Sequence, residues 1–115
     1  MKDSIVSQKS FDFALRIINL YKYLKENKKE FILSKQLLRS GTSIGANIQE
    51  ALGGQSKKDF ISKISVAYKE SRETLYWINL LNKSGYLNQT QSCSLISDCE
   101  EIIKIITKIL KTSKN

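Results

Sequence analysis

The run Leu37-Leu38-Arg39-Ser40-Gly41-Thr42-Ser43-Ile44-Gly45-Ala46-Asn47-Ile48-Gln49-Glu50-Ala51 decides how this chain folds. Leu37, Ile44, Ile48 and Ala51 fall at helical spacing on one face, with Leu33 one turn ahead of them. Gly41-Thr42-Ser43-Ile44-Gly45 has the glycines of a phosphate loop. It lacks the Lys-Ser/Thr that must follow and the strand that must precede, so it continues the helix. Ser40, Gly41, Gly45 and Ala46 are small residues about one turn apart, a surface that another helix can approach closely. An interior glycine costs about 1 kcal/mol relative to alanine, so two of them point to a packing or oligomer requirement. Gly53-Gly54 then stops the helix, because glycine tolerates the left-handed C-terminal cap.

Three more segments share this period. Phe13, Ile17, Leu20 and Leu24 form one stripe, with Phe11, Ala14, Ile18 and Tyr21 beside it, a breadth that fits packing against two neighbours. Asn27-Lys28-Lys29-Glu30 closes that segment as a polar turn. Ser56-Lys57-Lys58-Asp59 has the spacing of a capping box. From there Phe60, Ile64, Ala67, Ser71, Leu75, Ile78 and Leu81 carry a stripe to Ser84-Gly85. Asn88, with Gln91 three residues on, opens the last segment, whose stripe reads Leu95, Cys99, Ile102, Ile106 and Ile109. No proline interrupts any of them. The expectation is an all-α chain with helices over about 11–25, 31–52, 57–84 and 89–111. Short connections between long helices force antiparallel neighbours, so the four make an up-and-down four-helix bundle, one domain over residues 1–115.

Composition narrows the function. The chain has 115 residues, 19 Lys and Arg against 11 Asp and Glu, a formal charge of +8 and no histidine. The usual general base, the Cys–His and Ser–His pairs and the commonest metal ligand are therefore missing. Di-iron bundles need Glu-x-x-His pairs, and four-helix RNA-cleaving domains of the Arg-x4-His type need their histidine, so neither chemistry can be built. Cys93 and Cys99 alone cannot make a structural zinc site, and Cys99 falls on the apolar stripe as a core thiol. The expectation is no enzyme activity, no cofactor and no metal. A carboxylate-only Mg²⁺ site at Glu50, Glu70 and Glu73 is the alternative. Neither a signal-peptide core nor a run of about 20 apolar residues is evident, so the expectation is a cytoplasmic chain with no membrane partner.

Arg39, Ser43, Asn47 and Glu50 line up beside the apolar face of the second helix, and the third helix carries Glu70, Glu73 and Trp77. A hairpin turning near residues 54–55 sets Arg39 opposite Glu70. That predicts an interhelical contact, shared with Glu73, fixing helix register or a subunit interface. The other reading is of separate solvated charges with little energetic weight.

The positive excess gathers on residues 1–30, with seven bases against four acids, and on residues 56–85, with six against three. Lys25, Lys28 and Lys29 cluster at the first turn; Lys57 and Lys58 open the third helix, with Lys63 and Arg72 further along. These seven are the candidate nucleic-acid contacts, and the Lys28 and Lys57 groups fall at opposite ends of the rod. In the last helix Lys104, Lys108, Lys111 and Lys114 follow Asp98, Glu100 and Glu101, an order that complements the helix macrodipole and needs no partner. Exposed aromatics interleaved with bases are not evident, so a nucleic acid would be read by its phosphates or shape.

The run from Leu37 to Ala51 resembles the signature of small bacterial four-helix-bundle proteins encoded in 23S rRNA intervening sequences. Asp59-Phe60-Ile61, then Ala67-Tyr68-Lys69-Glu70-Ser71-Arg72-Glu73-Thr74-Leu75-Tyr76-Trp77, is similar to that family's second block. The likeness extends over about residues 8–110. Many relatives have a Gly-Ser pair on the third helix where this chain has Lys69-Glu70. The resemblance implies a bundle with left-handed twist that assembles into a homopentamer around a central channel. It also implies structural or subunit-contact roles for Arg39, Asn47, Glu50 and Glu73, none of them catalytic. A distantly similar basic pentamer is an accessory factor in diversity-generating retroelements, associated with nucleic acid and a reverse transcriptase. The expected partners are further copies of this chain and RNA or a ribonucleoprotein. The alternative is a protein-interaction scaffold or accessory subunit whose charge serves solubility alone.

Overall fold

In the computed structural model, which describes residues 5–114, the periodic segments form four helices. They are α1 (Ile5–Glu26), α2 (Leu33–Leu52), α3 (Lys57–Lys83) and α4 (Gln89–Ser113). Cross-helix pairs fix their directions. Gln49 of α2 donates to the Ser7 hydroxyl of α1 (2.7 Å), the Ser40 and Thr74 hydroxyls meet between α2 and α3 (2.9 Å), and the Cys99 thiol of α4 donates to the Ser71 carbonyl of α3 (3.4 Å). Neighbours run antiparallel, as the short connections require, in a rod of 44 × 20 × 19 Å. Each helix packs along the next in sequence, and α1 touches α4 least extensively.

One core runs the length of the rod. Phe13, Ile17 and Leu24 meet Leu37, Ile44 and Ile48, and the cluster continues through Ile64, Ile78 and Leu81 to Ile102 and Ile106. Burying each such side chain is worth about 1.5–3 kcal/mol relative to exposure, which makes this cluster the main source of stability. On α3, Thr74 rather than Leu75 faces inward. Leu75 and Phe60 lie half-buried at the core margin, and Thr74 satisfies its hydroxyl on the Glu70 carbonyl (2.8 Å).

Two helix starts differ from the sequence reading, and α4 runs on to Ser113, past the expected 111. The first helix begins at Ile5, six residues ahead of the expected start at 11, because Val6 and Ser10 extend the buried stripe. Ser10 hid that turn: it occupies a core position where an apolar residue would have shown the period. It fits because it packs on Gly45, where a β-carbon would come 3.2 Å from the Ser10 hydroxyl. The second helix begins at Leu33 rather than 31, for a reason that lies in Glu30 and is described below.

The helix ends carry their own chemistry. Ser56 accepts from the Asp59 amide (3.1 Å). At α4 both halves of a capping box form, Asn88 accepting from the Gln91 amide (2.8 Å) and Gln91 from the Asn88 amide (3.0 Å). The expected left-handed cap at Gly53-Gly54 is absent, since Gly53 has φ −90°. Gly54 is there for closeness: a β-carbon would lie 3.1 Å from the Ala51 carbonyl oxygen. Among the described residues the left-handed ones are Gly85 (φ 91°), after α3, and Lys29 (φ 55°), after α1.

Candidate functional site

The polar line on α2 meets α3 in two places. Near its start the Arg39 guanidinium bridges two carboxylates, reaching Glu70 at 3.2 Å and also pairing with Glu73. Glu73 in turn accepts from the Trp77 indole (2.9 Å), and the Trp77 ring meets Tyr76 edge-on with centroids 5.1 Å apart. Helical spacing explains the assembly: Glu70, Glu73 and Trp77 share one face of α3, and the hairpin brings Arg39 level with them. Further along, Glu50 pairs with Lys63 (2.8 Å). Lys63 lies about two turns from Glu70 on α3, so Glu50, Glu70 and Glu73 do not converge and the carboxylate-only Mg²⁺ arrangement is not formed. Ser43 and Asn47 turn to their own helix, donating to the carbonyls of Arg39 (2.6 Å) and Ser43 (2.8 Å). Of the seven residues on these two lines, Arg39, Glu70, Glu73 and Trp77 form one network.

The first turn has an internal anchor. Glu30 is buried, and its carboxylate accepts from the amides of Ile32 (3.2 Å), Leu33 (3.0 Å) and Ser34 (2.7 Å), the unpaired donors that open α2. The Ser34 hydroxyl donates back to the Glu30 carbonyl (2.8 Å). Burial works to raise the Glu30 pKa, but the amides of Leu33, Ser34 and Ile32 outweigh it and hold the carboxyl below its ordinary range. This clasp delays the helix to Leu33 and leaves Phe31 (51% exposed) and Ile32 (75% exposed) projecting beside Lys28 and Lys29. An exposed aromatic next to bases is therefore present at this tip, against the sequence reading.

The cations divide into engaged and disengaged sets. Among the described residues, ion pairs take up Lys9 with Glu101 (3.2 Å), Arg16 with Asp98 (2.6 Å), Arg39 and Lys63. Lys25 lies over the Tyr21 ring, 4.8 Å from its centroid. Lys28, Lys29, Lys57, Lys58 and Arg72 are exposed. Lys28 and Lys57 fall at opposite ends of the rod, as the topology requires. Sequence reasoning missed a second grouping: Arg72 of α3 and Lys104, Lys108 and Lys111 of α4 line one open groove of about 980 Å³. The α4 lysines looked sufficient to themselves along their own helix. Only the pairing of α3 with α4 brings Arg72 onto the same groove as these lysines.

The two thiols differ in their surroundings. Cys99 is buried, and burial, with Glu100 and Asp98 adding to it, pushes its thiol up to about 12. Cys93 is exposed beside the Gln89 amide (3.3 Å). Among the described residues no helix is long and apolar enough to cross a membrane.

The fold and surface define a four-helix bundle in which acids and bases clip neighbouring helices together while a large share of the cations face solvent. The family model described as 23S rRNA-intervening sequence protein matches residues 2–108, and the chain belongs to that family. It is similar to a protein of unknown function from the S23 ribosomal protein family of Bacteroides thetaiotaomicron, whose crystal structure was determined at 1.70 Å resolution. The two are 52% identical with a TM-score of 0.94, over 96% of this chain and 99% of that one. No curated protein matches the sequence significantly.

Proposed function

We propose that this protein is a non-enzymatic, homo-oligomeric bundle of the cytoplasm that binds RNA or a ribonucleoprotein. The observation that carries the reading is the unbalanced surface: the ion pairs described above engage Lys9, Arg16, Arg39 and Lys63, in a chain of net charge +8. A surface of free ammonium and guanidinium groups attracts phosphates and releases their counterions. Family membership supports the same direction, since its description refers to an intervening sequence of 23S rRNA. A chain without histidine, whose one core thiol is strongly disfavoured as thiolate, supports a binding role over a catalytic one.

Self-association is supported by the outer side of α1, where Phe11 and Leu15 are exposed one turn apart. Phe11 and Ala14 line a groove there with Gly45 and Ala46 of α2. A second copy is the occupant assigned to this face, in a pentamer. Light scattering on the purified chain should give about five times the 13.1 kDa monomer mass, and a monomeric mass would end this part of the proposal.

RNA binding is tested by titrating RNA at increasing salt. The expected result is binding whose logarithm falls linearly with the logarithm of salt concentration. A second reading, a protein-interaction scaffold without nucleic acid, is favoured by the projecting Phe31 and Ile32. Absence of RNA binding at low salt, together with a protein partner lost on replacing those two residues, would decide for it.

A further inference from the structure

We infer that the groove between α3 and α4 is a track for a phosphate chain, with Arg72 on one wall and Lys104, Lys108 and Lys111 along the other. This rests on the RNA-binding reading and names the surface that would serve it. Lys104, Lys108 and Lys111 follow one another at four and three residues on a single helical face, so their backbone positions rise by about 6 Å and then about 4.5 Å along the axis. A linear series of cations along an open groove suits a linear series of anions better than it suits one small molecule. Lysine and arginine side chains are donors only, so these four bases favour an anionic ligand over a neutral one.

Two neighbouring contacts strengthen the assignment. Glu101, at the groove margin, is neutralised by Lys9 (3.2 Å), which leaves Glu100 as the acid facing the four bases. On the other side of α4, Lys108 is shared with a second groove of about 510 Å³ that adds Lys57 from the start of α3 and is floored by Phe60, Ile105 and Ile109. The C-terminal half of α4 is thus flanked by cations from two separate parts of the sequence. The macrodipole accounts for lysines late in α4, but it does not account for Arg72 and Lys57 of α3 lining grooves with them.

The test uses the full chain, anisotropy of a labelled single-stranded RNA of mixed sequence, and competition by inorganic polyphosphate. The combined variant Lys104→Gln/Lys108→Gln/Lys111→Gln should bind both probes at least about tenfold more weakly. It should also flatten the salt dependence by about two units, given roughly 0.7 per phosphate contact on a single strand. Lys35→Gln/Lys83→Gln, exposed at the far end of the rod, should change affinity less than about threefold, and thermal melts should show both variants folded. RNA binding that survives the α4 variant, or falls equally with the tip variant, overturns the groove and leaves the RNA reading standing. Polyphosphate held through the α4 lysines without any RNA binding keeps the groove and removes RNA as its occupant. Failure of the unaltered protein to bind either probe at low salt overturns both.

Discussion

Gly41 of α2 lies so close to Ile17 of α1 that a β-carbon on the glycine would sit 2.8 Å from both Cγ1 and Cγ2 of the isoleucine. Ile17 is completely buried and has no room to retreat. Gly41→Ala gains about 1 kcal/mol of helix propensity, but overpacking a filled core costs about 1–3 kcal/mol. The net expectation is destabilisation by up to about 2 kcal/mol in urea unfolding. In an Ile17→Ala background the same change should be neutral or stabilising. Additive effects of the two substitutions would contradict the contact. At Gly45→Ala the nearest atoms belong to Ser10, the hydroxyl at 3.2 Å and the backbone carbon and Cβ at 3.5 Å, and the change should shift stability by less than about 0.5 kcal/mol.

Glu30 gives the bundle a defined acid sensitivity. Its folded pKa is lowered, so its stabilising effect is fully present above the ordinary glutamate range and fades as pH falls through that range toward the depressed value. Glu30→Gln should therefore destabilise the protein at neutral pH by about 1 kcal/mol, the usual worth of a lost cap. The difference from the unaltered protein should shrink below about pH 4. Melting temperatures from pH 7 down to pH 3 check the sign, and a gap that widens toward acid would contradict it.

The sole tryptophan reports on the Arg39 network. Because Glu73 accepts from both the Trp77 indole and Arg39, Glu73→Gln should change Trp77 emission while leaving helix content intact. A double-mutant cycle between Arg39→Ala and Glu73→Ala should give a coupling below about 1 kcal/mol that diminishes with salt, as for exposed pairs generally. A larger, salt-independent coupling would mean the pair is buried by something the single chain lacks, such as a second copy.

The thiols should separate by rate. Cys93 is exposed, whereas Cys99 is buried with its thiol pushed up to about 12. At pH 8 a thiol reagent should label Cys93 promptly and Cys99 only as the protein unfolds. Equal labelling of both in the folded protein would contradict the burial of Cys99.

Much of this architecture can be read from residues alone. Leu and Ile at a 3.6 period in four segments, with no proline among them, leave little choice of fold class, and Arg39 and Glu70 are placed together by hairpin register. What escapes are contacts whose partner is backbone, or a helix not adjacent in the argument. Glu30 acts on amides, which have no identity in a sequence. Ser10 is a core residue only because Gly45 faces it. Glu50 belongs with Lys63 rather than with Glu70 because a line three turns long meets α3 at more than one level. Lys104, Lys108 and Lys111 balance their own helix on paper and come to share a groove with Arg72 only once α3 and α4 are packed.

The thin contact between α1 and α4 has a consequence for how the molecule assembles and comes apart. Every other helix pair joins segments adjacent in sequence, so those pairings form with little loop entropy to overcome. The α1–α4 edge closes the longest loop, with Arg16 and Asp98 82 residues apart, and it is fastened by Arg16–Asp98 and Lys9–Glu101 among largely solvent-accessible charges. The α1–α4 edge is accordingly the seam of the molecule: the shared core runs beneath it, but its own helix–helix contact is the thinnest in the bundle, and exposed ion pairs such as those that cross it are worth about 0.2–1 kcal/mol each. Local opening is therefore expected to begin where the first and last helices meet, with only a small contribution from added salt.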